Sequence, residues 1–551
     1  PADLVDLPTA TEAVPFLGEA AANEIGAHVV TLEQALRLAV LHNRDYQNQK
    51  EALFLAALAL SLERHRYDPI FSGTVSGNYV RSTTDLNEVS ELGDAIISGP
   101  ALAQQVESLA GTPAGLLTSY ADLVKAAGDI AGLTQVETTI VDERSVTGDA
   151  ALGVTMLLKG GATIAAGITS NFLRFLTGDP RAEASSALFA DITQPLLRGA
   201  GKKVAAERLT QAERDLLYQL RTFARYRQEF TVQIATRYYQ ILQLRDTANN
   251  NWQSLQRFHT NVERERAFAA EGKRTQAELG RLEQALLTNE NTWIGSVRNY
   301  KQRLDEFKID LGLSTDTKMI LDDNELVQLK ERGIIHPTIS PEDASEVALA
   351  ARLDLYTQQD KVDDAQRKVV VAANALKPRL DLVGRADVLS TPGNQFLKAD
   401  LDRAAWSAGV DVELPFDRKP ERNVYRAALI ASERAQRDLT LTQDQIKLGV
   451  RDAWRTLDQA KRSFEIAQKS LELNIRRVEE QNLLAELGRA TALNQVDAQN
   501  DLNTAENGLT NALVSHTIAR LEFWRDMGIL FIKEDGQWEE VKDDQPVCQA
   551  Q

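Results

Sequence analysis

The sequence predicts a mostly α-helical fold with additional β-strands, built as two tandem copies of one unit. Three observations carry this prediction. A helix-opening pattern at Thr31 recurs at Ser340, period-two alternation follows each opening, and each half then holds a very long run of helical periodicity. Residues 203 to 270 contain neither proline nor glycine. At 1.5 Å per residue this run would form roughly 100 Å of helix.

The composition excludes several classes of function. The chain has 551 residues, of which 43% are hydrophobic and 26% charged, and its formal net charge is −17. This acidic balance argues against binding to nucleic acid. The single cysteine, Cys548, excludes an intrachain disulfide and a cysteine-based metal site. The six histidines are dispersed and no nucleophile–base pairing is evident, so we predict no enzyme activity, no cofactor and no metal.

Each repeat opens with a short amphipathic helix. Thr31-Leu-Glu-Gln-Ala and Ser340-Pro-Glu-Asp-Ala both place a hydroxyl at the N-cap, and Pro341 occupies the first helical position. The repeats align over three further pairs: Glu33 with Glu342, Ala39 with Ala348, and Asp45 with Asp354. We expect each helix to run for about 37 residues, the spacing that separates its start from Pro69 or Pro378.

The alternating segments predict strands at about 70–80 and 187–197 in the first repeat. The matching strands of the second repeat are predicted at about 380–388 and 407–416. Each has one apolar and one polar face over ~9–11 residues, which suits a membrane barrel. The edge of a soluble β-sandwich would show the same local pattern, so both interpretations stay open at this level.

A tight turn ends each long helix. Residues 271–275 and 487–491 share the pattern Gly-x-x-Thr, in which glycine suits a helix C-terminus and threonine can cap the returning helix. The returning helices are predicted at about 276–312 and 492–527. Two short helices of ~55 Å laid end to end would match one long helix, which indicates a helical column.

The remaining segments complete the predicted organisation. Residues 84–146 have no counterpart in the second half and are predicted to be an insertion. Further along, Lys159-Gly160-Gly161 predicts a hairpin turn. The predicted segments are an N-terminal arm (1–30), a first repeat (31–312) with an insertion (84–146) and an extra hairpin (153–172), an inter-repeat linker (313–339), a second repeat (340–529) and a polar tail (530–551).

Taken together, these features resemble the TolC family of outer membrane efflux proteins. The resemblance covers about residues 31–530 and rests on the duplicated openings, the two Gly-x-x-Thr turns and Gln194-Pro-Leu-Leu-Arg-Gly-Ala-Gly after a strand. It implies a homotrimer in which each chain gives four strands to a 12-stranded outer membrane β-barrel and coiled-coil helices to a periplasmic α-barrel. It also implies a passive exit duct for efflux or type I secretion, which works with a periplasmic adaptor and an inner-membrane pump.

The resemblance further implies a gate on the helix that follows the second turn. The matching positions are Asn494 and Asp497, three residues apart and so on one helical face, and the first-repeat position holds Glu278. Three Asp497 carboxylates brought together by three-fold symmetry would favour cations. The alternative is a solvated carboxylate on the outside of a coiled coil.

The turns themselves are implied to contact the adaptor. The implied contact residues are Gly272, Lys273, Arg274, Thr275, Gly488, Arg489 and Thr491. The competing functional hypothesis is a periplasmic coiled-coil adaptor or scaffold protein. Such a protein would carry one hairpin with lipoyl-like and small β-barrel modules, whereas this chain has a duplicated hairpin.

Overall fold

The computed structural model describes residues 7–11, 14–88, 137–177, 182–272, 275–391, 395–414, 416–487, 489 and 491–539. The chain divides into two compact units. The first unit is helical and comprises Pro1–Glu63, Glu207–Ala373 and Arg418–Gln551. The second unit contains a large sheet and comprises Arg64–Ala206 and Asn374–Asp417. Each unit therefore combines segments from both repeats.

The elements follow one another in the order that a duplicated unit requires. A 3₁₀ helix at Pro15–Asn23 precedes the first strand. In chain order the others are β1 (His28–Val30), α1 (Leu32–His42), α2 (Arg44–His65), β2 (Ile70–Glu88), β3 (Glu137–Leu157), β4 (Thr163–Phe175), β5 (Ala182–Pro195), α3 (Lys202–Ala205), α4 (Glu207–Ala270), α5 (Gln276–Asp310), β6 (Met319–Leu321), α6 (Asn324–Arg332), α7 (Pro341–Ala351), α8 (Leu353–Ala375), β7 (Arg379–Thr391), β8 (Gln395–Glu413), α9 (Lys419–Glu486) and α10 (Ala492–Met527).

The opening helix of each repeat is broken, so the prediction of one uninterrupted helix of about 37 residues was wrong. Asn43 separates α1 from α2 with φ −64° and ψ 129°. Arg352 separates α7 from α8 with φ −75° and ψ 121°. The Asn43 Oδ1 accepts the Tyr46 N–H at 2.8 Å and so caps the new helix. A capping side chain in mid-run competes with the continuous helix for main-chain donors.

Each repeat contains one helix of more than 60 residues. α4 has 64 residues and α9 has 68. In the first repeat the helix starts after a short break, because α3 ends at Ala205 and α4 begins at Glu207. The returning helices α5 and α10 have 35 and 36 residues. Their bounds lie within two residues of the predicted ones.

Aromatic side chains of α2, α4 and α5 form much of the core of the helical unit. The ring of Tyr46 lies 5.1 Å from that of Phe230 and 5.7 Å from that of Phe223, between ring centroids. Tyr238 is fully buried, and its hydroxyl donates to the Val30 carbonyl at 3.2 Å. This contact joins the middle of α4 to strand β1.

The N-terminal arm and the inter-repeat linker are packed parts of the helical unit. Strand β1 pairs in parallel with β6, which lies in the linker. The Trp293 Nε1 donates to the Phe16 carbonyl at 2.7 Å, and buried Arg245 donates to Glu24 at 2.7 Å. The predicted N-terminal arm therefore contains a helix that is held on α4 and α5.

The first part of the C-terminal tail also packs. Leu530 is buried and Ile532 bridges to Trp538. The Arg227 Nη2 donates to the Ile532 carbonyl at 3.0 Å. Residues 540–551, including Cys548, lie outside the described residues.

The second unit is a six-stranded sheet in the order β2-β3-β4-β5-β7-β8, in which every neighbouring pair is antiparallel. The implied count of four strands per chain therefore does not hold. The extra hairpin at 153–172 supplies part of β3 and β4, and both lie inside the sheet between β2 and β5. The hairpin widens the sheet.

The predicted insertion at 84–146 overlaps this sheet. β2 continues to Glu88 and β3 begins at Glu137, and the two pair along their full length. The extension was not visible because 82–88 and 137–145 are mostly polar on both faces, so no hydrophobic alternation marks them. Residues 89–136 lie outside the described residues.

Candidate functional site: the helical turns and the two-faced sheet

The first helical turn is closed by a capping box. α4 ends at Ala270, and Gly272 follows with φ +73°. Thr275 caps α5: its hydroxyl accepts the Glu278 N–H at 3.3 Å, while the Glu278 carboxylate accepts the Thr275 N–H at 3.2 Å. Lys273 and Arg274, predicted adaptor contacts, lie outside the described residues.

The second turn has the same cap in a weaker form. Thr491 accepts the Asn494 N–H at 3.3 Å, but Asn494 makes no return bond to the cap among the described residues. The Arg489 N–H donates to the Leu484 carbonyl at 2.8 Å, and Arg489 is exposed. Gly488 lies outside the described residues. Glu278 and Asn494 thus occupy equivalent positions, and the glutamate carboxylate is engaged in closing its own turn.

Asn494 and Asp497 lie on one exposed face of α10. Asp497 has no ion-pair partner within the part of the chain that the structure describes. One turn further on, Asp501 is also exposed and pairs with Arg477 of α9. Sequence reasoning did not single out Asp501, although its i+4 spacing from Asp497 places it on the same face. Of these two carboxylates, only that of Asp501 forms an ion pair within the described residues.

Beneath this face the packing between α4, α5 and α10 is polar. The side chains of Asn251, Asn289, Gln495 and Gln499 are all buried. Asn503 donates to the Asn251 Oδ1 at 2.9 Å. The Gln495 amide has no hydrogen-bond partner among the described residues. Buried amides of this kind contribute less to stability than an apolar seam, so this end of the helical unit is held less firmly than its aromatic core.

Two histidines that are far apart in sequence meet in the helical unit. His336 Nδ1 and His516 Nε2 are 3.4 Å apart. Burial, together with the neighbouring His336 and Arg520, lowers the pKa of His516 to about 4. The pKa of His336 is also lowered, chiefly by burial. Nothing in the spacing of the sequence could have shown this pairing.

The sheet has one apolar face that spans all six strands. Residues paired across neighbouring strands lie on the same face. One row of cross-strand partners consists only of apolar side chains and glycine: Gly73, Leu152, Ile168, Leu188, Val388 and Ala404. The next row on that face is also apolar: Phe71, Val154, Ala166, Ala190, Ala386 and Trp406. Phe71 is 81% exposed and Trp406 82% exposed, so this face is open rather than packed.

The opposite face is polar and charged. Asp149 of β3 pairs with Asn171 of β4 and with Ser76 of β2. Further along the sheet, Arg385 lies 3.7 Å from Asp191 and 2.8 Å from Asp387. An open apolar face opposite a charged one is the arrangement of a sheet with lipid on one side and water on the other.

The described part of the chain holds neither a cluster of metal ligands nor a membrane-spanning helix. Across those residues no three His, Cys, Asp or Glu side chains come together in a way that could hold a metal ion. Within the same residues, no helix is both long and apolar enough to cross a membrane.

Comparisons with solved structures identify the fold. The outer membrane channel OprN matches with a TM-score of 0.59 at 12% identity, over 96% of this chain and 95% of that one. The CmeC outer membrane channel of Campylobacter jejuni matches with 0.60 at 13% identity, over 98% and 92%. The open state of the MtrE outer membrane channel of Neisseria gonorrhoeae matches with 0.57 at 12% identity, over 92% and 90%. No protein-family model matches the sequence, and no curated protein matches it either.

The chain therefore has the fold of solved outer membrane channels, and its sheet has one apolar and one polar face. The resemblance to the TolC family, inferred from the repeats and turns, is confirmed at the level of the fold. The neighbours are channels and not enzymes, which is consistent with the prediction of no catalysis.

Proposed function

We propose that the chain forms a homotrimeric exit duct that carries substrates passively across the bacterial outer membrane and the periplasm. The sheet would lie in outer membrane lipid and the helical unit in the periplasm. A periplasmic adaptor and an inner-membrane pump would complete a tripartite efflux or type I secretion system. The single observation that carries the proposal is the apolar face that crosses all six strands, on a chain with the fold of outer membrane channels.

The edges of the sheet support assembly from several copies. Among the described residues, strands β2 and β8 each have a hydrogen-bonded neighbour on one side only. Unpaired strand edges are not tolerated in lipid, so copies of the chain would pair β2 of one with β8 of the next. Three copies of a six-stranded sheet would give eighteen strands. At ~4.8 Å between strands and a tilt of ~40°, the barrel would be about 36 Å wide, against about 24 Å for twelve strands.

Exposed apolar stripes on two helices support the same assembly. Phe54, Leu58 and Leu62 of α2 are spaced by four and are 64%, 48% and 65% exposed. On α9, Ile466 and Leu473 are seven residues apart and are 68% and 62% exposed. Stripes at helical and heptad spacing favour contact with a neighbouring helix. Neighbouring copies of the chain would cover them.

Asp497 is the residue that we assign to the gate of the duct. With three-fold symmetry, one exposed carboxylate per chain becomes a ring of three. Like charges in a narrow, weakly screened space repel one another and attract cations. Asn494 extends the same face without charge. Glu278 would contribute less, because its carboxylate is committed to the cap of α5.

The turns at 271–275 and 487–491 would meet the adaptor. Arg489 is exposed at the second turn, and Gly272 and Thr275 are exposed at the first. The alternative function, a periplasmic adaptor or scaffold, is less well supported, because the structural neighbours over nearly the whole chain are channels.

Light scattering in mild detergent combined with planar-bilayer recording tests the proposal. We expect a particle with the protein mass of three chains and discrete conductance steps after insertion. An adaptor or scaffold would show no conductance. A monomer that does not conduct would overturn the proposal.

A further inference from the structure

We propose that Arg81, Arg144 and Arg174 form a binding surface for the phosphate groups of anionic glycolipids in the outer leaflet. The inference rests on the proposed function, since it requires the apolar face of the sheet to lie in lipid. It adds a specific lipid partner at one rim of that face.

The three arginines lie on the apolar face, on three neighbouring strands. Arg81 of β2 is the direct cross-strand partner of Arg144 of β3. Arg174 of β4 pairs with Val146, two residues along β3 from Arg144. Diagonal neighbours of this kind are ~7–8 Å apart, within the reach of long side chains. The three guanidinium groups therefore share one small area.

One carboxylate serves two of these guanidinium groups. Asp142 accepts from the Arg81 Nε at 2.9 Å and from the Arg81 Nη2 at 3.0 Å. It also accepts from the Arg144 Nη2 at 2.9 Å. Arg174 is exposed and has no ion pair within the described residues. Three cations and one anion leave two positive charges without compensation, and like charges directly opposite each other on a sheet are unfavourable.

The surface lies at the border of the apolar face rather than within it. On β2 the apolar positions Phe71, Val75 and Tyr79 immediately precede Arg81, and on β4 Phe172 precedes Arg174. Phe71 to Tyr79 spans ~26 Å along the strand, or ~20 Å across a membrane at a tilt of ~40°. Aromatic residues mark the interface of a membrane β-sheet, and arginine is far less costly there than at the midplane.

Chain connections assign this border to the outer leaflet. The strands connect to helices at the ends near Ile70, Pro195, Arg379 and Glu413, whereas the arginines lie toward the connections between β2 and β3 and between β4 and β5. In the proposed duct the helices are periplasmic, so the arginines face the opposite leaflet. Guanidinium groups bind phosphate through paired, charge-assisted hydrogen bonds.

The test uses the full chain reconstituted in phosphatidylcholine vesicles with bisphosphorylated lipid A or its dephosphorylated form. Lipid A that stays bound after extraction is counted by native mass spectrometry, and flotation reports insertion. Arg174→Gln and the triple variant R81Q/R144Q/R174Q are compared with Arg385→Gln, a matched change on the polar face. Trimer mass and circular dichroism check folding. If the triple variant fails to fold, Arg174→Gln still tests the inference, because Arg174 has no ion pair within the described residues.

We expect phosphate-dependent binding that weakens about fivefold in Arg174→Gln, weakens further in the triple variant and is unchanged in Arg385→Gln. Equal binding of the dephosphorylated lipid, parent-like binding by Arg174→Gln, or full competition by inorganic phosphate would overturn the inference. If the protein inserts into vesicles but does not prefer the phosphorylated lipid, the lipid site is refuted and the proposed function stands. Failure of the parent to float with vesicles refutes the proposed function and this inference with it.

Discussion

Asn43 donates a hydrogen bond from its Nδ2 to the main-chain carbonyl of Asp310 at 2.7 Å. The second repeat has an equivalent bond, from the Arg352 Nη1 to the carbonyl of Asp526 at 3.2 Å. In both repeats, the residue that interrupts the opening helix binds the last turn of the returning helix. These last carbonyls have no partner within their own helix, so the interruption satisfies them and joins the two short helices.

Replacing Asn43 should therefore destabilise the helical unit. Asn43→Ala loses the cap on Tyr46, worth about 1 kcal/mol, and the bond to Asp310, worth about 1 kcal/mol. Asn43→Ser keeps a capping oxygen and should lose about half as much. Equilibrium denaturation in mild detergent measures the free energy of unfolding of both variants. Equal stability of the alanine variant and the parent would show that Asn43 does not stabilise the helical unit.

Gly312 lies two residues after Asp310, at the contact between the two short helices, and should not tolerate a side chain. Its φ is +74°, and an added Cβ would lie 2.1 Å from the His42 carbonyl oxygen. Gly26 is a matched control, since its φ is +73° and an added Cβ would meet nothing within 4 Å. We expect Gly26→Ala to cost about 1 kcal/mol for the left-handed backbone alone. Gly312→Ala should lower the melting temperature far more, and similar melting temperatures would contradict the close approach.

Deletion of residues 89–136 should leave folding and assembly intact. The paired strands β2 and β3 end at Glu88 and Glu137, so a short turn can replace the segment. Deletion of 84–146 also removes the last five residues of β2 and the first ten residues of β3, including Asp142 and Arg144, and should impair assembly. Size exclusion with light scattering distinguishes the two. Loss of the trimer in the shorter deletion would show that 89–136 is structural.

The gate assignment makes opposite predictions for two neighbouring residues. Asp497→Asn should raise single-channel conductance or reduce cation selectivity, and Asn494→Asp should tighten cation block by adding a second ring. Both side chains are exposed, so stability should change by less than about 0.5 kcal/mol. If all three proteins conduct alike in planar bilayers, Asp497 does not line the duct.

The histidine pair should make stability depend on pH. His516 has a folded-state pKa of about 4 against 6.5 for the exposed side chain, so between these values the unfolded chain binds more protons. Stability is therefore fully present above pH 6.5 and is lost as pH falls toward 4. The loss should reach about 3 kcal/mol. His516→Gln should flatten this part of the profile, and an unchanged slope would refute the assignment.

The sequence predicted the order of elements because duplication and long-range periodicity are strong patterns. The returning helix at 492–527 was predicted with the bounds that α10 has. The break at Asn43 was missed because asparagine is also common within polar helix faces, and only the tertiary contact with Asp310 selects its capping role. Strand ends near Glu88 and Glu137 were missed because they carry no apolar alternation.

The candidate site was less predictable than the fold. Thr275 and Thr491 were expected as caps from the turn pattern, and both cap their helices. The commitment of Glu278 to its own cap, the pairing of Asp501 with Arg477, and the meeting of His336 with His516 depend on side-chain geometry between distant segments. Local spacing does not encode such contacts.

Single-particle electron microscopy of the detergent-purified protein tests the central claim most directly. The account predicts three copies around a three-fold axis, with β2 of each chain paired to β8 of the next and three six-stranded sheets closed into one barrel. A particle with one or two copies, or three copies whose β2 and β8 edges stay unpaired, would contradict it.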